Sequence, residues 1–288
     1  MKNGIKNLYL FITAMIWGFA FVAQSVAMDA IGPYTFLFAR SVLGCLFLVA
    51  VGIFMKAFKD VNYKELLKDG AICGVALYVA SILQQIGMVY TPASRAGFIT
   101  VMYIVIVPIL SVFVGKKTTL KNWVCVLLAV IGLYLLCVKG EFKIEIGDAF
   151  IIASAFMFSV HIMIIDRVSV KYNALTLSCV QYLTMSVVGL LPALFVDGMP
   201  VSSMKEAIVP IVYAGIMSTG IAYTLQTAGQ KDNNPTVASL ILSLESVFAA
   251  LGGFIILHES LSTREIIGSL LIFAAIIIIQ INPKKKEA

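Results

Sequence analysis

LQQIGMVYTPASRAGFITVMYIVIVP, at residues 83–108, has a counterpart in LQTAGQKDNNPTVASLILSLESVFAA, at residues 225–250. Both segments contain a helix-capping residue followed by proline, Thr91-Pro92 and Asn234-Pro235, which is typical of the start of a helix. At a constant offset of 142 residues, the identical positions include Leu83 and Leu225, Gln84 and Gln226, Gly87 and Gly229, and Val105 and Val247. This match indicates that the chain contains two copies of one structural unit.

The composition is that of a protein embedded in a membrane. Hydrophobic residues make up 60% of the 288 residues and charged residues only 12%, whereas about a quarter of a soluble domain is charged. The lysines behind the net charge of +6 lie in short turns between apolar runs, which favours contact with lipid headgroups over nucleic acid binding. All five cysteines lie inside apolar runs, without the spacing of a zinc site or a disulfide framework.

Ten apolar runs have the length of a membrane-spanning helix, which needs about 20 residues. They cover residues 7–27, 34–55, 70–90, 94–114, 121–139, 148–166, 173–196, 206–229, 235–256 and 264–282. We therefore expect an all-α membrane protein with ten transmembrane helices, arranged as two five-helix repeats over residues 1–140 and 147–283. Because each repeat has an odd number of spans, the second is inverted relative to the first, as in alternating-access carriers.

The distribution of positive charge predicts the orientation in the membrane. With the N-terminus inside, 15 of the 21 Lys and Arg residues lie on the cytoplasmic side, 5 lie on the other side, and Arg40 lies within a span. Short loops rich in these residues face the cytoplasm, so we expect a multi-pass protein of the cytoplasmic membrane with both termini inside the cell. The first apolar run has a counterpart in the second copy, which favours a retained span over a cleaved signal peptide.

Two fully charged side chains fall deep inside the predicted spans, Arg40 and Glu245. A charge at this depth costs at least about 2.5–3.5 kcal/mol on insertion scales, so it needs a function or a partner. We interpret Arg40 as a site for an anionic or carboxylate group, with outward snorkelling as the alternative. We interpret Glu245, whose repeat equivalent is Tyr103, as a site for proton coupling or a cationic group, with a structural hydrogen bond between helices as the alternative.

Neutral polar side chains recur on single faces of the third, seventh and eighth predicted spans. Hydrogen-bonding groups between aromatic side chains suit a pathway for small amphipathic metabolites, and hydrogen bonds between helices are the alternative. Trp17 is a further candidate for the lining, and His161 is a candidate for proton or substrate handling. The pathway candidates on these three faces are Tyr78, Ser81, Gln85, Gln181, Tyr182, Tyr223 and Gln226.

AMIWGFAFVAQSVAMDAIGPYTFLFAR, at residues 14–40, and SLILSLESVFAALGGFIILHESLSTREIIGSLLIFAAI, at residues 239–276, resemble the EamA type of the drug/metabolite transporter superfamily. Within the second segment, residues 244–250 and Glu259 resemble the ninth-span signature of that family. The equivalent segment of the first copy ends in Gly115-Lys116-Lys117, without the acidic residue that is usual there.

The resemblance implies two inverted repeats around a central cavity, and the export or exchange of amino acids or other small metabolites. Because the sequence has no phosphate-binding loop, nucleophile triad or metal-binding motif, we expect no cofactor and no enzymatic activity. The expected partners are membrane lipids and a small-molecule substrate, without nucleic acid. A membrane-embedded enzyme and a non-transporting scaffold or sensor are the alternatives. The sequence leaves open the substrate, the direction of transport, the coupling ion and whether the chain forms a homodimer.

Overall fold

The computed structural model describes residues 2–59, 61–116, 118–137, 145–256 and 262–280, and this part of the chain is helical with connecting turns and no β-strand. Outside the described residues lie Glu259, the predicted ends of the fifth and tenth spans, and several residues of the charge count: Lys117, Lys139, Lys143, Lys284, Lys285 and Lys286. The predicted all-α membrane fold is confirmed, because nine described helices have the length and apolar character of a membrane span and a tenth apolar helix is slightly shorter.

We number the spans α1 to α10, with two of them in halves. They are α1 (Lys2–Met28), α2 (Pro33–Phe54), α3 (Tyr63–Tyr90), α4a (Ala93–Val101), α4b (Tyr103–Phe113), α5 (Leu120–Cys137), α6 (Ile146–Val168), α7 (Ala174–Phe195), α8 (Ile208–Gln230), α9a (Pro235–Leu242), α9b (Glu245–Ile256) and α10 (Thr263–Gln280). A short helix, Val201–Glu206, precedes α8.

Asparagine side chains cap three of the spans. Asn62, Asn173 and Asn234 precede α3, α7 and α9a, and each accepts a hydrogen bond from a backbone N–H two or three residues later. Proline occupies the first position of α2 and of α9a, where its missing N–H leaves no helical hydrogen bond unmade. The predicted starts at residues 34, 173 and 235 lie within one residue of the starts of α2, α7 and α9a. The third helix begins at Tyr63, seven residues before its predicted start at residue 70.

The fourth and ninth spans are each broken, although the sequence predicts continuous helices there. The backbone N–H groups of Met102 and Leu244 bond to carbonyl oxygens three residues earlier, at 3.1 and 3.2 Å, which tightens the helix locally. In the ninth span the Ser243 hydroxyl also donates to the Leu240 carbonyl, at 2.7 Å, and so competes with the helical pattern. Met102 and Leu244 are equivalent at the offset of 142, so both breaks occupy the same place in the repeat.

The two repeats pack reciprocally. α3 of the first repeat lies along α6, and α8 of the second repeat lies along α1, so the third helix of each repeat contacts the first helix of the other. The equivalent glycines Gly87 and Gly229 lie in these contacts. A Cβ atom on Gly87 would lie 2.8 Å from the Gly147 carbonyl oxygen, and one on Gly229 would lie 2.9 Å from the Lys6 carbonyl oxygen. Equivalent contacts of this kind are expected from inverted repeats related by a pseudo-two-fold axis.

A prediction concerns the contact between α5 and α10. A Cβ atom on Gly132 would lie 2.7 Å from the Gly268 carbonyl oxygen, and a backbone oxygen moves only with its helix. We therefore expect Gly132→Ala to lower the melting temperature of the purified protein, at the cost of about 1–3 kcal/mol that is typical of overpacking.

Gly97→Ala in α4a is the matched control, because no heavy atom lies within 4 Å of the Cβ position there. Replacing a helical glycine by alanine without a clash stabilises the folded state by about 0.5–1 kcal/mol. The Gly97→Ala variant should therefore melt at the same temperature as the unaltered protein or at a higher one. Equal destabilisation of both variants would contradict the close α5–α10 contact.

Candidate functional site

A polar cavity lies where the two repeats meet, at the depth of the two helix breaks. Its volume of about 40 Å³ is enough for a few water molecules. Seven of the twelve side chains that the sequence singles out line it: Trp17, Arg40, Ser81, Tyr103, Tyr223, Gln226 and Glu245. With Phe158 and Ile162 of the sixth span, the cavity gathers residues of the first, second, third, fourth, sixth, eighth and ninth spans.

Glu245 and Tyr103 meet across the repeat interface. The Tyr103 hydroxyl donates to the Glu245 carboxylate, Oη to Oε1, at 2.9 Å, and both side chains are buried. Because Glu245 is the first residue of α9b, its carboxylate also lies at the positive end of that helix dipole. Gly18 lets α1 approach this point, since a Cβ atom there would lie 2.7 Å from the Glu245 carbonyl oxygen.

Arg40 is held by three hydrogen bonds inside the bundle and is 6% exposed. Its guanidinium donates to Gln24 Oε1 at 3.3 Å, to Ser218 Oγ at 3.1 Å and to Thr219 Oγ1 at 3.2 Å. Because these partners lie in α1 and α8, the alternative of outward snorkelling does not describe this side chain. Among the described ion pairs there is none between Arg40 and Glu245.

The backbone of α8 changes to π-helical hydrogen bonding over Tyr213–Ala222, the segment that carries Ser218 and Thr219. Such segments re-aim side chains and are frequent at functional sites. Gly44 of α2 faces it, and a Cβ atom on Gly44 would lie 2.2 Å from Thr219 Cγ2. The close approach of α2 and α8 thereby brings the hydroxyl groups to the Arg40 guanidinium.

Aromatic rings form one wall of the cavity. The Trp17 and Tyr223 ring centroids are 4.5 Å apart, and Phe158 also lines the cavity. Tyr182 and His161 lie behind Tyr223, with ring centroids at 5.7 and 6.2 Å from it.

Five of the sequence candidates do not line the cavity. His161 and Gln181 bond to each other, Nε2 to Oε1, at 2.9 Å, and both are fully buried. Tyr78 packs near Gly189 on α7, where a Cβ atom would lie 3.2 Å from Tyr78 Cε2. The whole group outside the lining is Tyr78, Gln85, His161, Gln181 and Tyr182.

Sequence reasoning missed Gln84, which lines the cavity in place of its neighbour Gln85. The Gln84 amide donates to Thr100 Oγ1 at 3.0 Å, and so joins α3 to α4a. The internal repeat could have predicted this position, because Gln84 is the equivalent of Gln226, which also lines the cavity. Gln24, Thr100 and Ser218 were missed as well, and no local pattern in the sequence distinguishes them.

A contact between the repeats lies at the start of α6. The Asp148 carboxylate, whose side chain is 1% exposed, forms an ion pair with Arg95. It also accepts hydrogen bonds from the Thr91 hydroxyl at 3.4 Å and from the Glu145 backbone N–H at 2.8 Å. We call the set of Asp148, Arg95 and Thr91 the α6-end contact. It joins the second repeat to Thr91, which follows α3, and to Arg95 in the first turn of α4a.

The opposite end has a related contact, which we call the α1-end contact. Lys6 pairs with Asp232 at 3.5 Å. Asn233 donates to Asn7 at 3.1 Å beside it. The Asp232 side chain is 65% exposed, and exposed pairs contribute about 0–1 kcal/mol, so this end is held more weakly than the α6 end.

The described residues contain no group of three or more His, Cys, Asp or Glu side chains placed to hold a metal ion. Four cysteines, Cys45, Cys73, Cys125 and Cys179, are buried and unbridged. A molecule in the cavity could therefore contact hydrogen-bonding side chains, one guanidinium group, one carboxyl group and the faces of aromatic rings.

The chain belongs to the EamA-like transporter family, whose profile matches residues 4–138 and again residues 145–281. It is 32% identical over 285 residues to an uncharacterized transporter of Archaeoglobus fulgidus, covering 97% of this chain and 88% of the relative. It is 23% identical over 307 residues to an uncharacterized transporter of Clostridium kluyveri, covering 99% of this chain and 95% of the relative. The chain is thus a multi-pass membrane transporter of the EamA type.

A solved crystal structure has the same fold. It superposes with a TM-score of 0.79 and covers 96% of each chain, at 17% sequence identity. The family profile and the similar transporters confirm the predicted membership in the EamA type of the drug/metabolite transporter superfamily.

Proposed function

We propose that the chain is a secondary transporter that exports or exchanges small organic metabolites, amino acids among them, by alternating access. The observation that carries the proposal is the polar cavity between the repeats, with Arg40 and Glu245 in its lining. We place the protein in the cytoplasmic membrane with both termini inside the cell, because 15 Lys and Arg residues fall on that side and 5 on the other.

The chemistry of the lining supports a zwitterionic or anionic cargo. The Arg40 guanidinium has the planar geometry that binds a carboxylate through two parallel hydrogen bonds. Glu245 and Tyr103 provide oxygen atoms for an ammonium group, and Trp17 and Tyr223 provide an aromatic wall. An amino acid or a metabolite of similar size uses all three surfaces.

The size of the cavity requires movement during transport. Pockets that bind small molecules have volumes of roughly 300–1,000 Å³, whereas this cavity has about 40 Å³. The helices must therefore separate to admit cargo, and inverted repeats separate at the two ends in turn. Bending at the breaks beside Tyr103 and Glu245 would widen the site, and the α6-end and α1-end contacts would open alternately.

One prediction from the proposed function concerns both transport and the lining of the cavity. In cells that overproduce the protein, we expect at least one class of small metabolite to be excreted in larger amounts. The same cells should resist that metabolite at higher concentrations. The double variant Gln84→Leu/Gln226→Leu removes two lining amides, and each lost hydrogen bond costs about 0.5–1.5 kcal/mol, so selectivity should fall several-fold. The measurement compares excreted compounds at matched protein levels.

Gln85→Leu is the matched control, since Gln85 is buried beside Gln84 but outside the lining. It should keep the substrate profile. A scaffold or sensor would move no compound in any variant, and an embedded enzyme would convert a compound without moving it across the membrane. Either result would contradict the proposed function.

Another prediction concerns the driving force of transport, which is either a proton gradient acting through Glu245 or the concentration gradient of the cargo alone. In proteoliposomes with an imposed pH gradient, Glu245→Gln should abolish gradient-driven uptake, because glutamine still accepts the Tyr103 hydrogen bond but cannot ionise. Exchange without a pH gradient should persist. Glu206→Gln, at an exposed position, is the control and should leave both unchanged. If uptake by the Glu245→Gln variant still depended on the pH gradient, Glu245 would not couple transport to protons.

A further inference from the structure

A groove separate from the central cavity runs along the end of the bundle that the charge distribution assigns to the cytoplasm. It has a volume of about 790 Å³ and lies between α3, α4b and α6. Its rim contains four cations and two acidic residues: Lys68, Lys116, Arg167, Lys171, Asp69 and Asp166.

The charges of the rim are not balanced. Both acidic residues are in ion pairs, Asp166 with Lys116, and Asp69 with Lys171 at 3.0 Å. The other two rim cations are exposed, and within the described part of the chain neither has a carboxylate oxygen within 4.0 Å. Four cations against two carboxylates leave a net charge of +2 on the rim.

Below the rim the groove is apolar. Ile72 of α3, Phe113 of α4b and Met163 of α6 line this part. Ile72 is 48% exposed and Phe113 is 84% exposed, so the surface lies open at the outside of the bundle, where a membrane protein faces acyl chains. A charged rim above an apolar wall matches a ligand with an anionic head and a hydrocarbon tail.

We propose that this groove binds an anionic phospholipid, with its phosphate at Lys68 and Arg167 and an acyl chain along Ile72 and Phe113. Basic pockets between membrane helices on the cytoplasmic side select negative headgroups. A free phosphate ion would occupy only the rim and leave the apolar wall uncovered, so the combination of the two surfaces favours the lipid. The site is independent of the cargo and of the central cavity.

The test uses the purified full-length protein in mixed micelles, titrated with phosphatidylglycerol or with phosphatidylcholine, with lipid occupancy measured by native mass spectrometry. We expect phosphatidylglycerol to bind more tightly than phosphatidylcholine. Lys68→Ala/Arg167→Ala should weaken the binding of phosphatidylglycerol about 10- to 30-fold, because two surface cations are lost. Glycerol phosphate, which lacks the acyl chains, should not bind measurably.

Two further variants distinguish lipid binding in the groove from general attraction of anionic lipid to a positively charged surface. Lys64→Ala/Lys231→Ala removes two cations outside the groove on the same assigned face, and should keep the affinity for phosphatidylglycerol. Ile72→Trp fills the apolar wall while leaving every rim charge, and should lower that affinity. Equal losses in both double variants, no loss in Ile72→Trp, or tight binding of glycerol phosphate would each overturn the proposal.

Discussion

Arg40 and Glu245, the two charged residues in the lining of the central cavity, form hydrogen bonds across the interface between the repeats. Arg40 belongs to the first repeat, and two of its three hydrogen-bond acceptors, Ser218 and Thr219, belong to the second. Glu245 belongs to the second repeat and accepts from Tyr103 of the first. A buried polar group without a partner is costly, so each repeat needs the other in order to hold its own charged residue. The site therefore exists only in the assembled pair of repeats.

Three of the helices are irregular next to this reciprocal site. Tyr103 and Glu245 each begin the second half of a broken span, and the breaks occupy equivalent positions. The π-helical part of α8 lies opposite Arg40 in the same layer. Irregular backbone is tolerated at membrane depth where it is enclosed by protein or lines a cavity. In the proposed alternating-access mechanism, the repeats would bend at these irregular segments.

The number of spans, the internal repeat and the candidate charges could be predicted from the sequence, because membrane burial imposes a strong local signal on every helix. The offset of 142 also pairs Glu245 with Tyr103, and the structure joins these two side chains by a hydrogen bond. The breaks at Met102 and Leu244 could not be predicted, since neither residue disfavours a helix. Arg40 likewise has partners 178 and 179 residues away, which no local pattern specifies.

Helical periodicity also misplaced part of the polar lining. Gln84 and Gln85 are adjacent and chemically identical, and only the packing of α3 decides which of them faces the cavity. The internal repeat was the better guide, because Gln84 corresponds to Gln226 and both lie in the lining.

The inversion of one repeat relative to the other is tested most directly by cysteine labelling from one side of the membrane. In a background without native cysteines, Lys59→Cys probes the loop between α2 and α3, and Ser202→Cys probes the equivalent region between α7 and α8. A membrane-impermeant maleimide added to intact cells should label Ser202→Cys and leave Lys59→Cys unlabelled until the membrane is opened. Labelling of both positions from the same side would contradict inverted repeats and the reciprocal site that depends on them.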